Sequence, residues 1–349
     1  MHRRRRGDRG RGGVDGVTEN TPHGVALPAR TVPAPRSISP EACAMLERAV
    51  RADGVPLNAL HVLPDPADHA AWADLKTAAD AGYAMAMEGI AGSLRSTVET
   101  ITVGAARVHV ATPEGAFDAR RAYIDLHGGA LVFGGGGACR TGARMHADQH
   151  QVRCYGVDYR TPPEQPFPAA LDDCVATYAH VLAHHAPADV VIGGRSAGGN
   201  LAVAMLLRAR AEGLPMPAGL VLLSPQADLT ESGDSFAVNQ LVDVVLPGSL
   251  AATNLLYANG ADLRDPLVSP LFGELGGLPP TFLQSGTRDL FLSTTVRLHR
   301  ALRRARVAAE LHVFEAMPHG GFGGGTPEDA ELREEVTGFV AGRWGGTTI

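Results

Sequence analysis

From residue 97 onward, short runs of β-branched and aliphatic residues alternate with longer stretches whose apolar positions recur every three or four residues. The short runs are VETITV, RVHVAT, RAYIDLH, RCYGVDY, DVVIGG, GLVLLS, PTFLQSG and AELHVFE. Helical stretches such as FPAALDDCVATYAHVLAHH and LSTTVRLHRALRRA lie between most of them. Continuous apolar strands alternating with helices predict an α/β protein: eight strands, mostly parallel, with helices on both faces. No helix separates the first two runs, so the sheet should start antiparallel. Residues 38–96 read instead as helical and Ala-rich, with Ser39 as N-cap and Pro40 at the first helical position. The apolar stretch over 230–260 is expected to add to this helical cap. Residues 1–37 form an Arg/Gly/Pro-rich tail without a fold signal, which leaves 97–349 as the main domain.

The composition narrows the class. With 349 residues, 45% of them hydrophobic, the chain can bury a large core. Its net charge of −6 argues against nucleic acid as a partner. No apolar run reaches the roughly 20 residues that cross a bilayer, so no membrane association is expected. The arginines at the start lack a following apolar stretch and do not read as a signal peptide. The four cysteines, Cys43, Cys139, Cys154 and Cys174, show no CxxC spacing and read as reduced thiols of a cytoplasmic protein.

The chemistry concentrates at strand ends. Gly194-Arg195-Ser196-Ala197-Gly198 sits where DVVIGG meets a helix and matches G-x-S-x-G. Such a turn projects the serine hydroxyl, and glycines two residues away on either side avoid collision. The Ala197 N–H and the helix start face the same point, where an oxyanion could be held. A phosphate-binding turn is the plainer alternative. His127-Gly128-Gly129-Ala130 also ends a strand, and its glycines let backbone N–H groups approach a substrate oxygen. Past later strands come Asp289 and His319, in the chain order Ser…Asp…His. Asp228 is the alternative acid, whereas Asp265 reads as a turn residue. His146 and His150 share a helix face without an H-E-x-x-H pattern, so a solvated face is expected and no metal site. His184 and His185 close a helix and should favour its C-terminal dipole.

These blocks, LHGGA, VDYRTPPEQPFPAALDD, GGRSAGGNLA, DPLVSPLFGELGGLPPTFLQSGTRDL and FEAMPHGGF, resemble the bacterial hormone-sensitive-lipase family of α/β-hydrolases over about residues 97–344. The resemblance looks closest to small-ester and terpene ε-lactone hydrolases. It implies an α/β-hydrolase fold and a serine esterase without cofactor. Ser196 would be the nucleophile, His319 the base and Asp289 its orienter, with N–H groups of Gly129, Ala130 and Ala197 holding the oxyanion. The family's HGGG is HGGA here, and the block Tyr159–Glu164 stands for its Y-R-L-A-P-E. His127 is expected to hold its loop by hydrogen bonds. Tyr83, Met85 and Met87, with Val244, Val245 and Leu246, are candidates to roof the pocket; of these Tyr83, Met87, Val245 and Leu246 are taken as substrate-binding. The substrate would be a small ester or lactone, with a homodimer left open by the resemblance. An amidase or deacylase with the same triad, or a hydrolase-fold binding protein, are the alternatives. Arg195 departs from the acidic residue or threonine usual there. A carboxylate, Glu164 or Asp125, is its expected partner; exposure to solvent or a substrate carboxylate are the other readings.

Overall fold

A computed structural model describes residues 24–25, 28–246 and 248–345. The expected tail therefore falls mostly outside the described residues, and those before Pro33 carry neither helix nor strand. The following concerns the unit that begins at Pro33.

Eight strands form one sheet: β1 (Thr97–Val103), β2 (Ala106–Thr112), β3 (Ala122–Leu126), β4 (Arg153–Asp158), β5 (Val190–Arg195), β6 (Gly219–Leu223), β7 (Thr281–Gly286) and β8 (Ala309–Phe314). Their spatial order is β1-β2-β4-β3-β5-β6-β7-β8. Strand β2 runs antiparallel to both β1 and β4, and every other pair is parallel. The expected antiparallel start is observed. The helices are α1 (Pro40–Arg48), α2 (His69–Ala91), α3 (Gly137–His150), α4 (Ala169–Leu182), α5 (Ala197–Ala211), α6 (Ser235–Val238), α7 (Ala251–Ala258), α8 (Leu292–Arg304) and α9 (Pro327–Arg343). None of the described helices is long and apolar enough to cross a membrane. The four cysteines are unpaired.

Alternate side chains along a strand point to opposite faces, and two cores result. Ile124 and Ile192 pack with α4, α5 and α8 on one face. Tyr123 and Val191 pack with α3 and α9 on the other. The chain leaves β3 to build β4 on one side, then crosses back to build β5 on the other. The strand order thus reverses between β3 and β5, which places a crevice at their carboxyl ends. The N-terminal segment lies over that end. Trp72 of α2 is fully buried against Val132 and Phe133, which follow β3, and against Leu256 of α7.

Candidate active site

Strand β5 delivers Ser196 in a left-handed conformation, φ 55° and ψ −117°. A non-glycine residue there is strained. The flanking glycines are required by contact: a Cβ on Gly194 would lie 2.3 Å from the Gly198 carbonyl oxygen, and one on Gly198 would lie 1.8 Å from that of Leu126. The Ser196 N–H is fixed by the Leu223 carbonyl at 2.9 Å. Its hydroxyl points at His319, with Oγ to Nε2 at 2.9 Å, and both residues are only 6% exposed.

The other face of the ring meets Asp289, whose Oδ1 lies 3.0 Å from His319 Nδ1. That carboxylate is held from three directions. Oδ1 also accepts the Phe291 N–H at 2.9 Å, and Oδ2 accepts the Ser285 hydroxyl at 2.7 Å. Burial pushes the Asp289 pKa up, but the facing imidazole and the donors outweigh it, and the group stays below the usual carboxylate range. Asp228 does not reach His319. Arg297 at 2.6 Å, Thr230 and Ser232 claim it. Asp265 caps its own turn through the Leu267 N–H, as expected.

The loop after β3 has three consecutive residues of positive φ, Gly129 (127°), Ala130 (52°) and Leu131 (64°). A Cβ on Gly129 would lie 2.0 Å from the Phe133 carbonyl oxygen. The Gly129 carbonyl accepts from Val132 and Phe133, while among the described residues the N–H groups of Gly129 and Ala130 find no backbone acceptor. The Ala130 methyl packs toward the Trp72–Phe133 cluster and α2, so the HGGA departure is absorbed by the cap. His127 holds the loop, as the sequence suggested. Its Nδ1–H donates to the Gly128 carbonyl at 2.8 Å, its ring stacks on Tyr159, and burial lowers its pKa. The Tyr159 hydroxyl donates to the His127 carbonyl, and Arg160 pairs with buried Asp173.

Arg195 forms neither expected ion pair. Glu164 is bound by Lys76 of α2 at 2.8 Å, and Asp125 faces His146 Nε2 at 3.4 Å. The arginine side chain is exposed, and its Nη1 donates to the Gly320 carbonyl at 2.6 Å, one residue past His319. It therefore ties the serine turn to the histidine loop. A partly hydrated charged hydrogen bond of this kind contributes modestly, so Arg195→Ala should cost about 1 kcal/mol of stability, not the several expected of a buried pair. Thermal unfolding of the variant checks this; a loss above about 3 kcal/mol would imply a buried charge partner instead.

Two histidine readings also need correction. His146 and His150 do not line a solvated face: both rings stack on Tyr123 of β3. His185 is buried, with Nδ1–H donating to the Arg120 carbonyl at 2.7 Å and Nε2 accepting from the Tyr155 hydroxyl at 3.1 Å. It bridges elements where a helix-end charge was expected. His184 keeps to the helix end, against the His180 carbonyl.

Of the roof candidates, Val245 and Leu246 lie beside the histidine loop, because their N–H groups and that of His319 reach one carboxylate, Asp243. Val244 instead packs with Ala42, Leu46 and Met317 in an ordinary apolar core. Tyr83 sits on α2 one turn beyond Asp80, whose Oδ1 accepts the Gly134 N–H at 2.6 Å, and Tyr83 is 47% exposed. Met85 is exposed, and Met87, half-buried, lies about 10 Å along the axis from Asp80.

Sequence reasoning missed Asp243, Asn239, Asp80 and Asp329. Asp329 moulds the loop after His319, accepting N–H groups of Phe322, Gly324 and Thr326. The available signal was an acid isolated among apolar residues, as in FAVNQLVDVVLP.

Among the described residues, two groups of His, Cys and acidic side chains bring donor atoms together, and one of them is Asp243, Asp289 and His319. The other is His109, Cys139 and Asp158. There Arg107 pairs with Asp158, whose Oδ1 accepts the Gly136 N–H.

A profile of the α/β-hydrolase fold family matches residues 123–322. An esterase of Acinetobacter venetianus is 34% identical over 195 residues, 55% of this chain and 64% of that relative's length. An acetyl-hydrolase of Streptomyces hygroscopicus is 35% identical over 201 residues, 57% of this chain and 67% of the relative. The crystal structure of an esterase, 35% identical, superimposes with a TM-score of 0.84 over 91% of this chain and 98% of that one. An esterase of the bacterial hormone-sensitive lipase family, 30% identical, does so at 0.73 over 88% and 99%. The match extends along most of the fold, and this chain belongs to the α/β-hydrolase fold family, in its hormone-sensitive-lipase branch.

Proposed function

We propose that this protein is a serine carboxylesterase that cleaves small apolar esters or lactones. The observation that carries the reading is the continuous line from Ser196 Oγ through both nitrogens of His319 to Asp289, at 2.9 and 3.0 Å. His319 Nε2 takes the hydroxyl proton as Ser196 Oγ attacks the ester carbonyl carbon. The oxygen becomes an anion and is held by the N–H groups of Gly129, Ala130 and Ala197. His319 then protonates the leaving alkoxide, and the acyl group remains on Ser196. Water, deprotonated by the same nitrogen, attacks the acyl-enzyme and restores the serine. Asp289 keeps Nδ1 protonated, so that Nε2 is the free base, and stabilises the imidazolium.

The relatives support the substrate class: they are named esterases and an acetyl-hydrolase, and a crystal of a 29% identical esterase was soaked with p-nitrophenyl butyrate. Ser196 is only 6% exposed, α2 is bonded to the loop after β3 through Asp80, and Asp243 is bonded to His319; a covered site of this kind favours short acyl groups, open or cyclic, because it holds limited volume. A panel of p-nitrophenyl esters tests this. The C4 ester should turn over with at least about tenfold higher kcat/KM than the C12 or C16 esters, of the order that a few misplaced methylenes cost. Faster cleavage of the long chains would reject the short-acyl reading, and no cleavage of any ester would reject the esterase itself.

A further inference from the structure

The strongest unassigned feature of the centre is a second buried carboxylate. Asp243 is fully buried, in the segment between α6 and α7. Its Oδ2 accepts the N–H of Leu290, the residue after Asp289, at 2.7 Å. Its Oδ1 accepts the N–H of His319 itself at 3.3 Å, with those of Val245 and Leu246 at 3.1 and 3.4 Å. One carboxylate thus fastens the loop that carries Asp289 to the loop that carries His319. Those loops leave neighbouring strands, β7 and β8, and the Asp289–His319 hydrogen bond depends on their spacing.

Two amides hold the carboxylate's own segment. Asn239 Nδ2 donates to the Asp289 carbonyl at 2.9 Å, and Asn58 Nδ2 donates to the Asp243 carbonyl at 2.7 Å. The side chain itself faces four N–H donors. Among the described residues, the titratable groups facing it are His319 and Asp289, while Asn58, Asn239, Val245, Leu246 and Leu290 bring only amides. Burial lifts the Asp243 carboxyl above its usual range, while the facing imidazole and the N–H donors favour its charged form; that charge bears on the imidazole without contacting the reacting atoms.

We propose that Asp243 is a positioning residue of this esterase: it sets the spacing of the Asp289 and His319 loops and adds a second negative charge that favours the His319 imidazolium formed during acylation. The inference rests on the Ser-His-Asp reading above. In the native protein the Asp289–Nδ1 bond fixes the ring's orientation, and the Asp243 bond to the His319 N–H fixes the backbone that carries the ring.

Three variants of the full chain, Asp243→Asn, Asp243→Glu and Ser196→Ala, test it. Asp243→Asn replaces an acceptor oxygen by a donor facing donors and removes the charge. It should lower kcat about 10–100-fold, the loss expected of hydrogen bonds to a charged group, with KM within about twofold. With less negative charge beside the Ser196–His319–Asp289 line, the acid limb of kcat/KM should move down by about half a pH unit or more. Asp243→Glu keeps the charge but displaces it by a methylene. Its acid limb should stay in place while kcat falls about three- to tenfold. A purely structural role would lower the melting temperature and leave the limb where it was. Folded Asp243→Asn protein with wild-type kcat, or with an unmoved acid limb, overturns the proposal. Should that variant not fold, wild-type kcat in Asp243→Glu overturns it. Activity surviving in Ser196→Ala would instead overturn the underlying esterase reading, so the two failures are distinct.

Discussion

Ser196→Ala should give a folded protein whose esterase kcat has fallen by about 10³–10⁶-fold, the range seen when a nucleophile that works as a unit with its base is removed. The fold should survive because, among the described residues, Oγ makes one hydrogen bond, the 2.9 Å bond to His319 Nε2. What holds Ser196 in the turn does not involve its own side chain: the Ser196 N–H on the Leu223 carbonyl, the close approach of Gly198 to Leu126, and the left-handed φ that alanine meets at similar cost to serine. Steady-state kinetics on a short p-nitrophenyl ester, with a melting curve alongside, reads both quantities. Retention of more than a few per cent of activity would remove Ser196 from the mechanism.

Asp289→Asn should cost about 10³–10⁴-fold in kcat by inverting the histidine tautomer. The carboxylate accepts from Nδ1–H, and its orientation is fixed by the Phe291 N–H and the Ser285 hydroxyl. An asparagine whose oxygen accepts the Ser285 hydroxyl at the Oδ2 position presents its amide to the ring in place of Oδ1. Nδ1 must then accept, the proton moves to Nε2, and the base that Ser196 needs is gone. Asp228→Asn is the control. That carboxylate is buried and paired with Arg297, so its loss should appear mainly as instability, with kcat per folded molecule little changed. Were Asp228→Asn the variant that loses kcat, the acid would have to be reassigned.

What the sequence made legible was whatever is written locally. The eight strands appear as apolar runs, and the G-x-S-x-G turn appears because two glycines are sterically required within five residues. Asp289 and His319 follow their strands at the expected chain order. Partners set by distant register were not legible. Arg195 reaches Gly320, 125 residues away, and nothing near it in the chain distinguishes that carbonyl from a carboxylate. The 239–246 segment has no periodicity, so an acid isolated among apolar residues was its only local signal, and the partners of Asp243 come together only when β7 and β8 lie side by side. His146 and His150 misled for a related reason: a polar pair on a helix reads as solvated until Tyr123 is seen beneath it.

The latch between the start and the end of the chain has a consequence for how the protein comes into being. Ser39, which caps α1, donates from its N–H to Glu328 at 2.6 Å across 289 positions of sequence, and Asn58 finds its acceptors 185 residues on. During synthesis α1 has no surface to dock on until the residues after β8, Ala316, Met317 and Phe322, have been made. Contacts of such long sequence separation close late, after the loop entropy between them has been overcome. A chain can therefore assemble the sheet from β1 to β7 and still lack both the His319 loop and the packing of α1 against it. An element that precedes the whole sheet in sequence is then placed among the last, and it settles only once the loop after β8 has been made.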